Sequence, residues 1–188
     1  IGFAQRTQGL IVARGNPLGI TSLPDLLRPG LRYINRASGT GTRVLLDELL
    51  AQQRIDPAGI HGYATQEPSH AAVAQAVASG AADAGLGIEA AALEKGLDFI
   101  ALVRERYHLV CLKSALTQPP VLALLQALQS RAWAATLAQL PGYSAEGAQS
   151  GQVLALRAHL PWWRYRQEKT THSAQDLKPQ KISSRPGK

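Results

Sequence analysis

From Gly9 to Leu140, short apolar runs alternate with stretches of helical periodicity, and this alternation limits the possible folds more than any other feature of the chain. Repeated strand-then-helix order builds a sheet covered by helices. Gly9-Leu10-Ile11-Val12-Ala13 reads as a strand closed by the turn formers Arg14-Gly15-Asn16-Pro17. Thr21 or Ser22 would cap a short helix over 23–27, with Pro24 tolerated in its first turn. A strand over 31–35 is followed by a helix over 42–53 with Val44, Leu45 and Leu49 inward, then a weak strand over 60–63. Next come a helix over 69–79 stopped by Gly80, a strand over 84–88 and a short helix over 89–95. Strands over 99–103 and 107–112 and one long helix over 120–140 complete the pattern.

Charge does not point to nucleic acid. The formal net charge is +7, but residues 1–147 hold 12 Lys and Arg against 11 Asp and Glu, and residues 148–188 hold 8 against 2. The basicity belongs to the end of the chain, so the body has no electrostatic footprint for DNA. The single cysteine, Cys111, lies in an apolar run that predicts an inert strand thiol, and it can build neither a disulfide framework nor a thiolate metal site. No stretch reaches the roughly 18 apolar residues that would cross a membrane.

Between a predicted strand and a predicted helix stands Asn35-Arg36-Ala37-Ser38-Gly39-Thr40-Gly41-Thr42-Arg43. The first N–H groups of a helix have no intrahelical partner, and the peptide dipoles make that end partly positive. Gly39 and Gly41 let backbone approach a ligand, and Ser38, Thr40 and Thr42 add hydroxyl donors, a set suited to a compact oxyanion. Arg36 and Arg43 could favour an anion nearby, and Arg43 sits against its own helix dipole, which points to an acidic neighbour or a ligand. Nucleotide signatures do not fit: the phosphate-loop lysine and the third glycine of a dinucleotide fingerprint are missing. The same residues would also serve as a plain turn and cap.

Ser69 caps the second helix and places His70 at another free helix start, as a donor to an oxyanion or as an ordinary half-buried histidine. Asp83, ahead of Ala84-Gly85-Leu86-Gly87, could orient a group at a cleft or cap its turn. Tyr107, beside Glu105 and Arg106, would fall where a chain crosses between lobes. His61, His70 and His108 follow no metal-ligand spacing, and the serines lack a G-x-S-x-G elbow. A binding protein without metal, cofactor or catalytic residue is therefore expected, a Ser/His hydrolase being the enzymatic alternative.

These segments together, with Gln8-Gly9-Leu10, Gly15-Asn16-Pro17, Ser69-His70-Ala71-Ala72-Val73-Ala74 and Leu97-Asp98-Phe99-Ile100 in order, closely resemble the PBP-like domain family related to periplasmic molybdate-binding proteins. The resemblance implies a type 2 periplasmic-binding-protein-like α/β fold: two lobes with a mostly parallel sheet in each, the first lobe incomplete because members carry further strands ahead of Gln8-Gly9-Leu10. It places a ligand-binding domain at 1–147, with the second lobe over about 20–96, and a basic extension at 148–188. The extension, poor in core formers, is expected to be disordered from about 166. The implied ligand is molybdate or tungstate, bound by Arg36, Ser38, Gly39, Thr40, Gly41, Thr42, Arg43, Ser69, His70, Asp83 and Tyr107. The implied role is the effector domain of a helix-turn-helix transcription regulator, cytoplasmic, meeting DNA only through an upstream domain. A periplasmic solute-binding component of an uptake system is the alternative. An incomplete lobe leaves a sheet edge that a second copy of the chain, as a homodimer, could cover.

Overall fold

The computed structural model describes residues 1–155, of which Ile1–Gln152 form one unit. The elements are β1 (Gly2–Val12), β2 (Tyr33–Arg36), α1 (Gly41–Gln52), β3 (Gln66–Glu67), α2 (His70–Ala78), β4 (Ala84–Ile88) and α3 (Glu89–Glu94). They are followed by β5 (Asp98–His108), α4 (Pro119–Gln129), α5 (Arg131–Ala138) and β6 (Tyr143–Ser144). Short 3-10 turns at Leu23–Leu27, Pro57–Gly59 and Lys113–Ala115 fill the connections.

One six-stranded sheet has the order β3-β2-β4-β1-β5, with β6 pairing β1. β2 runs parallel to β3 and β4, whereas β1 runs antiparallel to β4, β5 and β6. The sheet is therefore mixed, which corrects the expectation of a mostly parallel one. The reason is β1, whose 11 residues enter the sheet from the opposite end and pair with β5 from Gly2↔His108 to Val12↔Asp98.

Alternation along the strands divides the core. Leu10, Val12, Tyr33 and Leu86 face Leu46 and Leu50 of α1, while Ile11 and Ile34 face Val73 and Val77 of α2 and Ala91 and Ala92 of α3. Because β2, β3 and β4 are parallel, the helices that follow them, α1, α2 and α3, all begin at the same end of the sheet. In open α/β sheets this is the end at which ligands bind.

Several local expectations change. The inward stripe of α1 is Thr42, Leu46 and Leu50, and Val44 is 51% exposed. Ile60 to Tyr63 forms a turn, and the neighbouring strand is Gln66–Glu67. The two strands expected over 99–112 are the single β5, so Cys111 lies past its end and is exposed. The long helix breaks at Ser130, whose hydroxyl donates to Ala127 O and accepts from Trp133 N–H, closing α4 and opening α5. The expected disorder from 166 lies outside the described residues.

Candidate functional site

The loop from β2 to α1 is held open by its own polar groups. Thr40 Oγ1 donates to Ala37 O at 2.8 Å and accepts from Arg43 N–H at 3.3 Å, making Thr40 the N-cap. Ser38 is clamped by Gln66, its N–H donating to Oε1 and its Oγ accepting from Nε2, both at 3.1 Å. Gly39 adopts φ +82°, which a side chain would resist, and neither Gly39 nor Gly41 has an atom within 4 Å of the place a Cβ would occupy. The amides of Gly41 and Thr42 take no partner among the described residues. α2 repeats the device: Ser69 Oγ accepts from Ala72 N–H at 3.0 Å, and the first two amides of the helix, those of His70 and Ala71, take no partner among the described residues.

Arg36 ends β2 and is 8% exposed. Its Nη1 donates to Glu67 O at 3.0 Å, and its Nε is buried without a partner among the described residues. Burial and the neighbouring charge of Arg6 both pull its pKa down. His70 Nδ1 is likewise buried and unpartnered, and burial together with Arg36 and Arg6 pushes the imidazole down to about 4. Arg36, His70 and Arg6 therefore form one electropositive group at the ends of the parallel strands.

Arg6 belongs to a cluster that sequence inspection missed. Its guanidinium pairs with Glu105 and lies 4.2 Å over the Tyr107 ring. Burial lowers its pKa, but the Tyr143 hydroxyl and Glu105 outweigh that and leave it raised. Gln8, fully buried, donates from Nε2 to Glu105 Oε2 at 2.7 Å, and its Oε1 has no partner. A hollow of about 500 Å³ opens beside Arg6, lined by Gln5, Thr7, Glu89, Arg104 and Tyr143, and the Ser38 loop does not line it.

Arg43 and Asp83 stand elsewhere. Arg43 folds along α1 onto Asp47, with its guanidinium 4.1 Å over the Tyr63 ring and the Tyr63 hydroxyl donating to Asp47. Its acidic neighbour is thus Asp47, one turn on, and its side chain is turned away from the loop. Asp83 precedes β4, where it accepts from the Arg32 backbone at 2.7 Å and pairs with its guanidinium. Roughly 16 Å of strand separates it from the helix starts. Ser69, His70 and Asp83 do not assemble as a triad, and no group of three metal-ligating side chains exists among the described residues. No helix among the described residues is long and apolar enough to cross a membrane.

Known proteins share this architecture. PEB3 from Campylobacter jejuni, solved with bound L-phospholactate, superposes with a TM-score of 0.59 at 16% identity, covering 77% of this chain and 67% of PEB3. The uncharacterized protein YvgK of Bacillus subtilis (strain 168) is 40% identical over 154 residues, 82% of this chain and 49% of YvgK, so the chain spans about half the length of that relative. An uncharacterized protein from the ferredoxin 2Fe-2S gene 5' region of Clostridium pasteurianum is 41% identical over 101 residues, 53% of this chain and 89% of that one. The PBP superfamily domain model matches residues 1–129, and the chain belongs to that superfamily.

Proposed function

We propose that this domain is a non-catalytic receptor for a small, fully deprotonated oxyanion, with molybdate or tungstate as its ligand. One observation carries the reading: the open amides at the start of α1 and the free amides of α2 share one end of the sheet with Arg36 and His70, whose buried nitrogens lack partners. A ligand made only of acceptor oxygens matches such a donor set, because each oxygen can take several hydrogen bonds and none has to be donated back. Ser38, Gly39, Gly41, Thr42, Ser69 and His70 supply the loop and helix contacts, Thr40, whose N–H and hydroxyl both donate to Ala37 O, holds the loop in place, and Arg36 supplies charge. Tyr107 acts at one remove, beneath Arg6.

In the two-lobed reading the paired β1 and β5 are the crossing strands. Arg6 of β1, held by Glu105 of β5, faces the guest when a first lobe closes, and the guest favours closure because only the closed state offers both donor sets. The domain then works in the cytoplasm as the effector half of a transcription regulator, closure reorienting an attached DNA-binding domain. Calorimetry on the full-length protein with molybdate, tungstate, sulfate and phosphate tests this. One-to-one binding of molybdate or tungstate, tighter than that of sulfate and phosphate, is the expected result. Binding of none of the four ends the oxyanion reading.

A further inference from the structure

His70 is the first residue of α2, with its amide free and its Nδ1 buried without a partner among the described residues. The charges that act on the imidazole come from other elements: Arg36 from β2 and Arg6 from β1. β4 offers only backbone there, and a Cβ placed on Gly87 would stand 3.6 Å from Nδ1. Glu67 of β3 directs its carbonyl to Arg36, Glu89 of α3 lies against Gly142, and Glu105 of β5 is taken up by Arg6 and Gln8. The ring thus stands beside Arg36, which pairs with no carboxylate among the described residues, and Arg6, whose charge Glu105 already meets, and in that state it is neutral near pH 7, its pKa being about 4.

A dianion arriving beside Arg36 reverses the balance. It supplies the negative charge for which Arg36 has no partner among the described residues, which favours the imidazolium and turns a ring with one N–H into one with two. We propose that the site captures its oxyanion together with one proton, taken up by His70, so that affinity for the anion is set by pH. The inference rests on the oxyanion reading and deepens it. Its sign follows from linkage: the loaded state binds a proton that the empty state does not, so affinity rises as pH falls from the loaded pKa towards about 4 and levels off below that. Within that window the affinity changes about tenfold per pH unit.

Calorimetry of the full-length protein at about pH 6 in two buffers of different ionisation enthalpy counts the protons. Molybdate is the probe, and sulfate, which carries no proton there, is the second, so that uptake cannot originate in the anion. The expected result is a buffer-dependent heat equivalent to a substantial fraction of one proton per anion. His70→Gln, which keeps an N–H donor and cannot titrate, should bind with no proton uptake and with an affinity that is flat with pH. Anion binding by the unaltered protein without proton uptake overturns the inference and leaves the oxyanion reading standing. Undiminished uptake by His70→Gln also overturns it, since another group would then be the acceptor. If neither anion binds, the oxyanion reading falls and this inference falls with it.

Discussion

Arg36 offers the sharpest separation of function from stability. Replacing it with methionine, which fills similar volume along the same stem, removes the bond to Glu67 O, worth about 1.5 to 3 kcal/mol for a charged donor. The same change removes a buried Nε without a partner, whose burial costs about 1 to 3 kcal/mol, and relieves the mutual repulsion with Arg6. The opposing contributions are of equal size, so Arg36→Met should leave the empty protein within about 1 kcal/mol of its original stability. Anion binding should not survive so well, because the loss of a charge-assisted contact of about 1.5 to 3 kcal/mol lowers affinity by roughly ten- to a hundredfold. Urea unfolding with and without molybdate reads both quantities in one assay. Ligand at 100 times Kd stabilises the unaltered protein by about 2.7 kcal/mol, and about half to nine-tenths of that increment should vanish in the variant. A variant destabilised by more than about 3 kcal/mol when empty, yet still stabilised by molybdate to the original extent, would refute the reasoning and make Arg36 a structural clamp.

Thr40→Ala should cost about 1 kcal/mol of stability through loss of the N-cap and should weaken anion binding, while Thr40→Ser retains both; chemical denaturation and calorimetry check the pair. Gly9→Ala should destabilise by at least about 3 kcal/mol, because a Cβ there would stand 2.1 Å from Ile100 O, which cannot move without breaking the β1 and β5 ladder; a large fall in the thermal midpoint is the expected observation. Asp83→Asn should leave anion affinity unchanged. Arg32 lowers the Asp83 pKa, so the pair contributes a small, solvent-screened stability above about pH 4, and that contribution disappears as pH falls through the lower folded value; unfolding measured from neutral to acidic pH should show the variant and the parent converging in acid.

Local rules carried much of this fold, and they carried it where the determinants are neighbours in sequence. Thr40 and Ser69 cap their helices by bonding amides three residues on, and Gly80 adopts φ +72° just past α2. They failed where charge is satisfied at long range. Arg104, Glu105 and Arg106 look like an interruption between two apolar strands, yet β5 runs straight through them. Glu105 meets Arg6 and Gln8 across the ladder, 99 and 97 residues away in sequence, so its charge is paired and the strand need not stop. The same separation concealed half of the candidate site. Gln8 looks like a polar residue flanking a strand, and only the antiparallel entry of β1 buries it fully against Glu105. Asp83 shows the converse error: it touches the glycine-spaced strand in sequence, but lies at the strand's beginning, whereas the ligand end of a parallel sheet is where strands finish. Strand direction, which is fixed by pairing and not by composition, therefore decides which residues beside a strand can meet a guest. It favours Arg36 and His70, at the finish of β2 and the start of α2, over Asp83.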